Sequence, residues 1–583
     1  MPQVGSDFQV MRERRDYVMN KRLHAFLSSL CVTALLSLFL IASTMAYADV
    51  TDRYLVWNLG DEAKSWSPTT NTQTVADHMV KQLFEGLTVS SATGIVPGVA
   101  ESWDVSSDGK TYTFHLRKNA KWSDGSPVTA KDFEYSWRRI CDPKIASEAL
   151  QSITDFVQGA KEYFEGTGSY EDIKATALDD YTFEVVLRNP APFFPLRAAA
   201  DVYCPVKKDV VEKYGEGWEK NPETCVGNGP FRMAEYHIGS HFIFEKNPYY
   251  WDADAVKLKG IKVVLISDAN TSLQGYQAGE IDATDVLPSE QIPRLVAEDP
   301  NVILVPDTGS LFMNFNCDKP PFDDVNVRKA IAHAIDRKAI VEQVTKGGEI
   351  PACGYIAPHC LKTDGTMYRP LEDDGYPAID EKYGIDPRGA TVEKARAFLA
   401  EAGYPNGEGF PEVELTYANT EKYKRICEAI QQMLKTNLNI NVVLRGEESS
   451  VFISTKTLGK YDMATGGWTN HPMDANGLVK LFHSQNGSNT AQWRWREYRG
   501  APHDTVLNPG NKAFDEAFDK AMASVGEARD KAWREAEDAL MEDMPITALY
   551  HPTAVMLINQ EKVSGVEVTQ SNSFMFKHAE IVE

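Results

Sequence analysis

The stretch Ala100–Trp137 carries the most specific local pattern in this 583-residue chain. Apolar residues alternate with polar ones at Trp103 and Val105, and again from Tyr112 to Leu116, which is the period of a strand with one buried face. Asp108-Gly109 lies between the two runs and tolerates the backbone of a tight turn. The pattern therefore predicts a β-hairpin.

A helix with its own start signal is predicted directly after this hairpin. Thr129 is a favourable N-cap residue, and Asp132 stands three positions later, as in a capping box. The apolar residues that follow fall on one helical face, namely Phe133, Trp137 and Ile140. A hairpin followed by a capped helix predicts a compact α+β unit.

The amino-acid sequence of the same stretch resembles the signature of a known family. The words AESW, FHLR, KWSDGSPVTAKDF and YSW resemble the signature of the solute-binding receptors that serve ABC importers of peptides and related solutes. Further family words follow in the family's order, at 226–231 (VGNGPF), 246–251 (KNPYYW), 279–282 (GEID), Pro321-Phe322 and Asp336-Arg337. The resemblance implies an α/β, two-lobed periplasmic-binding-protein fold (type II, large peptide-binding cluster) with an additional small accessory domain.

The resemblance also implies a division into domains. We expect the base lobe, the accessory domain and the second lobe at 49–84 plus 207–308 plus 548–583, at 85–206, and at 309–547, respectively. Without repeats or low-complexity linkers, the lobes are predicted to be joined by short crossing strands, which would form a hinge.

Periodicity alone predicts an α/β second lobe. Val413–Tyr417 alternates as a strand, Ile426–Leu438 is helical in pattern, and Ile440–Leu444 alternates again, which indicates a parallel crossover. Before them, 391–402 reads as a helix with Thr391 as its N-cap.

The N-terminus has the pattern of a secretory signal. Lys21-Arg22 begins a basic region, Ala25–Ile41 is almost wholly apolar, and Ala46-Tyr47-Ala48 has small residues at the spacing that a signal peptidase reads. We expect residues 1–48 to be a signal peptide, with Met19 as a possible true start and a retained membrane anchor as the alternative. The predicted location is the periplasm.

Charge and motif content exclude several classes of function. The formal net charge is −23, so nucleic acid is not an expected partner. GxSxG, Walker and GxGxxG motifs do not occur, and neither do CxxC or HExxH spacings. We therefore predict no enzyme activity, no cofactor and no metal site.

Seven cysteines follow the predicted signal peptide, so at least one thiol is expected to be unpaired. In an oxidising compartment the pairs Cys353 with Cys360 and Cys204 with Cys225 are plausible, because each would close a loop-like stretch that contains Pro or Gly.

The predicted ligand site centres on the stretch Gly466–Asn489. In peptide-binding relatives a Gly-Trp pair ends a strand in the cleft and pairs with the ligand backbone, and an Asp three residues after the Trp receives the ligand's α-ammonium. Gly467, Trp468 and Thr469 fit that pattern, whereas His471 stands at the carboxylate's place. A neutral imidazole accepts one hydrogen bond but does not neutralise an ammonium.

Two explanations of this departure remain open. Asp474, three residues further along, can replace the missing carboxylate, or the ligand lacks a free amine. Asn489, at the end of the stretch, is a further candidate. On the base lobe, the resemblance implies ligand contact by the loop that contains Thr72, Gln73 and Thr74.

A segment from Trp493 to about Lys512 is longer than the resemblance leads us to expect. Its arginines are interleaved with aromatic residues and could receive a carboxylate, whereas an inserted surface loop whose tryptophans fold back on the lobe is the simpler interpretation.

The predicted function is a monomeric receptor that captures short peptides between hinged lobes and delivers them to an inner-membrane ABC permease. One alternative keeps the fold but binds a non-peptide solute, such as an opine, a modified peptide, or a nickel or haem complex. A second alternative is a periplasmic peptidase or chaperone.

Overall fold

The computed structural model describes residues 53–70, 73–91, 94–147, 149–468, 474–484, 486, 489–493, 509–569 and 572–582. The predicted signal peptide, and with it Cys31 and Met19, lies outside these residues. Within the described ranges, none of the helices is long and apolar enough to cross a bilayer.

The strands and helices are numbered in chain order. The strands are β1 Leu55–Asn58, β2 Thr88–Ser91, β3 Gly94–Pro97, β4 Ala100–Val105, β5 Thr111–Leu116, β6 Ala175–Asp179, β7 Thr182–Val186, β8 Phe231–His237, β9 His241–Lys246, β10 Gly260–Val264, β11 Ala283–Thr284, β12 Val302–Pro306, β13 Ser310–Phe315, β14 Ile350–Pro351, β15 Val413–Ala418, β16 Val442–Glu447, β17 Met463–Trp468, β18 Ile546–His551, β19 Thr553–Ile558, β20 Val563–Ser564, β21 Glu567–Val568, β22 Phe574–Met575 and β23 Glu580–Ile581. The helices are α1 Thr74–Leu83, α2 Ala130–Ile140, α3 Leu150–Thr154, α4 Ala160–Phe164, α5 Phe194–Arg197, α6 Lys208–Tyr214, α7 Ala269–Gln277, α8 Ile292–Glu298, α9 Val325–Ala334, α10 Arg337–Ala339, α11 Val392–Glu401, α12 Glu421–Leu438, α13 Ser449–Thr457, α14 Asn476–Val479, α15 Pro509–Met522 and α16 Gly526–Asp543.

The predicted hairpin and helix are confirmed, and they form part of a four-stranded sheet with the order β4-β5-β7-β6. Gly109 at the hairpin turn has φ +69°, a backbone that glycine adopts without strain. The Thr129 N–H donates to the Asp132 carboxylate at 2.7 Å, which completes the capping box of α2. Phe133 and Trp137 are fully buried against this sheet in one core.

A second core belongs to a seven-stranded sheet with the order β12-β19-β11-β1-β10-β9-β8. Strand β1 pairs in parallel with both β10 and β11. The final segment of the chain returns to this sheet as β19, which pairs antiparallel with β11 and β12. Three separate stretches of sequence therefore build this lobe.

The third core surrounds a six-stranded sheet with the order β14-β18-β13-β17-β15-β16. The predicted strand, helix, strand unit is confirmed as β15, α12 and β16, with β15 and β16 parallel. Thr391 precedes α11, but its side chain makes no capping hydrogen bond to that helix. Its hydroxyl instead contacts Nδ1 of His333 at 2.6 Å, so the predicted cap is replaced by a long-range contact.

The domain division stays a prediction, and the six-stranded sheet bears on one of its boundaries. Residues 548–551 were expected in the base lobe, yet they lie in β18, which pairs with β13. We therefore propose that the last base-lobe segment begins at Pro552.

The predicted disulfides are not formed. All seven cysteines after the predicted signal peptide are free thiols with buried side chains, including Cys204, Cys225, Cys353 and Cys360. Burial raises the pKa of Cys225 to about 12, which keeps its thiol protonated and poorly nucleophilic. These residues act as small apolar side chains in the cores.

Candidate functional site

The two large sheets are joined by two short crossings that lie side by side. One crossing runs from β12 to β13 through 307–309, and the other runs from β18 to β19 through Pro552. The Asp307 N–H donates to the Pro552 carbonyl at 2.9 Å. The short length of both connections favours a hinge between the lobes.

A buried histidine, His551, connects the two crossings of this hinge by hydrogen bonds. Nδ1 of His551 lies 2.8 Å from Oγ of Ser310 and 3.1 Å from the carbonyl oxygen of Gly309. Because the Ser310 hydroxyl donates to the Tyr355 carbonyl, the imidazole Nδ1–H is the donor to the serine oxygen. Burial lowers the pKa of His551 to about 3, so the ring is neutral at physiological pH.

Strand polarity places the carboxyl ends of both sheets at this hinge. In the seven-stranded sheet the parallel strands β1, β10 and β11 end at the same edge as β12, where the chain crosses. In the six-stranded sheet the parallel strands β15, β16 and β17 end at the edge where β13 begins. Ligands of open α/β sheets bind outside the carboxyl ends of strands, so the cleft between these two edges is the candidate site.

The end of β17 offers free backbone groups to this cleft. Strand β17 pairs with β13 along its whole length, up to Ser310 opposite Trp468. Its other edge pairs with β15 only at Met463 and Ala464, and no other described strand pairs with it beyond that point. Within this unpaired stretch Gly467 and Trp468 are exposed, whereas 465 and 466 are buried, so an extended ligand can add to the edge at 467–468 by β-type hydrogen bonds.

The two glycines at this edge have different surroundings. A side chain at Gly466 would overlap the ring of Phe312, so packing within the lobe requires glycine there. Gly467 is exposed, and a methyl group at this position would lie 3.3 Å from Cδ1 of Leu311 and 3.6 Å from the hydroxyl of Tyr423. Glycine at 467 thus leaves the backbone accessible to a ligand.

Trp468 shapes the mouth of the cleft. Its side chain is 36% exposed, while its indole N–H donates to the carbonyl oxygen of Gly477 at 3.0 Å. One end of the ring is therefore held by the 474–484 segment, and its face remains available for apolar contact with a ligand.

Asp474 has a partner within the protein. Its two carboxylate oxygens accept from the two terminal nitrogens of Arg529, each at 2.8 Å. Asp474 is 5% exposed and Arg529 is 2% exposed, so the pair is buried. The guanidinium also lies 4.5 Å from the ring of Phe193 in the accessory domain. A ligand ammonium would have to displace this arginine, and ligand contact by Asp474 stays an untested prediction.

The other predicted site residues have different surroundings. Asn489 is buried, and its side-chain nitrogen donates to the carbonyls of Phe482 at 3.0 Å and Trp493 at 2.7 Å. Gln73 is exposed and its side-chain oxygen accepts from the Lys64 N–H at 2.8 Å, which closes the 64–73 loop. Thr74 begins α1, and Thr72, Thr469 and His471 lie outside the described residues.

Of the long segment from Trp493 to Lys512, the structure describes both ends. Trp493 is fully buried, its indole N–H donates to the carboxylate of Asp543, and its ring packs against Phe514 at 5.4 Å. This tryptophan folds back on the lobe, as the simpler interpretation expects. The arginines at 494, 496 and 499 lie outside the described residues.

Sequence reasoning did not find Asp285, which follows β11 at the carboxyl edge of the base lobe. Among the described residues its carboxylate has neither an ion pair nor a side-chain hydrogen bond to another residue. The residue is solvent-exposed, yet protein atoms surround its carboxyl group closely enough that burial raises its pKa to about 6. Strand β11 has only two residues, too short to show a period, and the sole sequence signal was an acidic residue just after the GEID word.

A further cavity of about 370 Å³ separates the accessory domain from the second lobe. Four cationic and two acidic side chains line it, namely Lys161, Arg188, Arg197, Lys480, Asp155 and Asp474. Its charged lining is therefore net positive, which favours anionic groups in this space.

Comparisons with known proteins show the family to which the chain belongs. The family model of bacterial extracellular solute-binding proteins, family 5 Middle, matches residues 94–490. The dipeptide-binding protein DppE of Bacillus subtilis (strain 168) is 35% identical over 519 residues, which cover 88% of this chain and 89% of DppE.

Two solved structures match nearly the whole chain. The unliganded open form of the periplasmic murein tripeptide binding protein MppA has a TM-score of 0.76 at 28% identity, covering 91% of this chain and 98% of that one. Haemophilus influenzae OppA in complex with the peptide RPPGFSPFR has a TM-score of 0.65 at 29% identity, covering 91% and 99%.

Proposed function

Because the chain belongs to the bacterial extracellular solute-binding proteins of family 5, we propose that it is a peptide receptor of an ABC importer. The observation that carries this proposal is the unpaired edge of β17 at 465–468, at the carboxyl edge of the second lobe. A peptide is the solute that can satisfy a free strand edge with its own backbone N–H and C=O groups. Backbone pairing also fits a receptor for peptides of varied sequence.

Asp285 is the proposed anchor for the peptide's α-ammonium. A buried ammonium requires a carboxylate partner, and Asp474 is already paired with Arg529. Asp285 stands on the facing edge and has no ionic partner among the described side chains. With Asp285 as the partner of the ammonium, an acidic residue is not required at position 471, where this chain has His471.

Peptide capture in this proposal depends on closure of the two lobes about the 307–309 and Pro552 crossings. The two solved structures have nearly equal identity to this chain, yet the unliganded open form matches better than the peptide complex, with TM-scores of 0.76 and 0.65. This difference supports an open arrangement of the lobes in this chain, in which the edge of β17 is accessible to a ligand.

The remaining parts of the proposal follow from the receptor role. The relatives are binding proteins, and we propose that this chain performs no chemical step on its ligand. It acts as a monomer in the periplasm after cleavage behind Ala48 and passes peptide to an inner-membrane permease.

Calorimetry with three related tripeptides tests the proposal. The free tripeptide should bind, its N-acetylated form should bind more weakly because Asp285 loses its ammonium, and a form with N-methylated backbone amides should bind weakest because it cannot pair with β17. Absence of heat with a mixed tripeptide pool, together with binding of a non-peptide solute or a metal chelate, would overturn the peptide assignment.

Mass spectrometry of ligand that co-purifies with the protein separates the receptor from an enzyme. An intact peptide released by denaturation supports capture without turnover. Recovery of cleavage products alone, together with hydrolysis of added peptide, would instead indicate a peptidase.

A further inference from the structure

The hairpin β8–β9 at the outer edge of the seven-stranded sheet brings two histidines and a glutamate together. His237 and His241 are directly opposite each other across the turn at 238–240. Their rings stack with centroids 4.5 Å apart and an angle of 22° between planes. Glu235 stands two positions before His237, and Oε2 of this glutamate lies 3.2 Å from Nε2 of His237.

A bulge in β8 creates this arrangement. The register between β8 and β9 shifts between Met233 and Glu235, so one extra residue lies on β8. Before the bulge Phe231 and Met233 face the core, and after it Tyr236 turns inward instead. The shift places Glu235 and His237 on the solvent face.

We propose that Glu235, His237 and His241 form a binding site for a borderline divalent transition metal, of which Zn²⁺ is the probe. One potential ligand atom from each residue lies within 4.8 Å of the other two. Zinc holds nitrogen and oxygen ligands at about 2.0–2.2 Å, so neighbouring ligand atoms at a tetrahedral centre lie roughly 3.3 Å apart. The distance of 3.2 Å between Nε2 of His237 and Oε2 of Glu235 already meets this requirement, whereas the ligand atom of His241 has to move closer from within 4.8 Å.

Contacts on the opposite face of the hairpin fix the conformation of its backbone. The Tyr236 hydroxyl donates to Oε1 of Glu62 at 2.5 Å, and the Gly239 N–H donates to Oε2 of the same carboxylate at 2.8 Å. The ring of Tyr236 stacks on Phe242 at 5.3 Å and meets Trp66 edge-on at 5.6 Å. The backbone of the hairpin is therefore preorganised, and metal binding has to move side chains only.

Two neighbouring side chains, Ser240 and Lys262, affect the affinity of this site for a metal ion. Oγ of Ser240 lies 2.9 Å from Nδ1 of His241, and a hydrogen bond from Nδ1–H to this oxygen leaves the Nε2 lone pair for the metal. Lys262, on the adjacent strand β10, acts on His241 as a positive charge and opposes cation binding. The ligand set of two imidazoles and one carboxylate leaves one or more positions for water, which suits zinc, nickel or copper rather than calcium.

The site lies at the outer end of the carboxyl edge of this sheet, on the side away from the hinge. His241 pairs with Val264, the last residue of β10. Strand β8 is the outer edge of the seven-stranded sheet, whereas β12, which leads into the hinge, is the opposite edge. The motif searches of the sequence did not find the site, because Glu-x-His-x₃-His becomes a ligand set only when a hairpin turn brings its ends together.

Calorimetric titration of the tag-free, chelator-treated protein with ZnCl₂ tests the proposal. One Zn²⁺ should bind per chain, and His237→Ala and His241→Ala should each weaken binding by at least about tenfold, with Glu235→Gln smaller. Lys262→Gln should tighten binding. With Cu²⁺ in place of Zn²⁺, paramagnetic resonance should show hyperfine coupling to two imidazole nitrogens.

His115→Ala is the matched control, because His115 is an exposed histidine whose Nε2 lies 2.8 Å from the carboxylate of Asp104 on a neighbouring strand. It offers one imidazole instead of two, and its removal should leave the Zn²⁺ affinity unchanged. Glu235 and His237 are exposed and His241 is half-buried, so thermal unfolding of the metal-free variants should stay close to that of the parent. Unchanged Zn²⁺ affinity in the His237→Ala/His241→Ala double variant would overturn the proposal, whereas peptide affinity should be the same in all variants.

Discussion

Two aspartates at the interdomain spaces, Asp474 in the second lobe and Asp285 in the base lobe, have opposite surroundings. Asp474 is buried and holds Arg529 by two hydrogen bonds of 2.8 Å. Asp285 reaches solvent, and within the described part of the chain it has no ionic partner. The sequence indicated the first as one candidate partner of the ligand, beside His471, and gave no indication of the second.

The difference shows why residue type and position near a family motif do not determine a role. A carboxylate that is saturated by a buried guanidinium stabilises the fold, since neither charge can be left alone at low cost. A carboxylate with no partner and a raised pKa is stabilised in its ionised form when a ligand cation binds beside it. The paired aspartate is therefore expected to control stability, and the unpaired one to control affinity.

The largest expected effect is on stability, from Asp474→Ala. This change would leave Arg529 charged and buried without its carboxylate, so the free energy of unfolding should fall by about 3–5 kcal/mol in urea titrations. Replacing Arg529 by Met in the same protein should recover most of that loss, because the orphaned charge is removed.

The same variant also tests the assigned role. At a temperature where Asp474→Ala is still folded, it should bind tripeptide as tightly as the parent protein. A loss of tripeptide affinity in the folded variant would show that Asp474 contacts the ligand.

The next effect is on affinity, from Asp285→Asn. The substitution removes the negative charge but keeps the shape, so affinity for a tripeptide with a free amine should fall by about tenfold to a hundredfold, or 1.5–3 kcal/mol. Unfolding should change by less than about 0.5 kcal/mol, since Asp285 supports no other side chain. Equal loss of affinity for the N-acetylated tripeptide would contradict an ammonium contact.

A smaller effect is expected at Asn489, which resembles Asp474 in being engaged within the lobe. Asn489→Ala would remove the Asn489 donor from the Trp493 carbonyl and leave the Phe482 carbonyl with Asn511 as its donor, and should lower the free energy of unfolding by about 1 kcal/mol. Tripeptide affinity should be unchanged. Weaker binding at unchanged stability would show that Asn489 faces the ligand instead.

Most of the architecture could be predicted from the sequence because its signals are local. The hairpin, the capping box at Thr129 and the β15–α12–β16 unit each follow from periodicity within about 30 residues. The family words then supplied the arrangement of lobes that periodicity does not contain.

The site could be predicted only in part, because its chemistry depends on contacts between distant residues. Asp474 and Arg529 are 55 positions apart, and Ser310 and His551 at the hinge are 241 apart. No spacing rule indicates either contact. The free edge of β17 likewise depends on where β15 stops pairing, which is a property of sheet register and not of residue type.

The smallest expected effect is the pH dependence of tripeptide affinity, which distinguishes the two aspartates without a substitution. Burial raises the pKa of Asp285 to about 6, so its carboxylate is mostly ionised at pH 7 and half protonated at pH 6. Only the ionised form attracts an ammonium, and affinity should therefore fall as pH falls, by about twofold from pH 7 to 6 and towards tenfold per unit below that. The peptide amine stays protonated throughout this range. Calorimetry of the Asp285→Asn variant and of the N-acetylated tripeptide should show no such decline, and a decline that persists in both would assign the titration to another group.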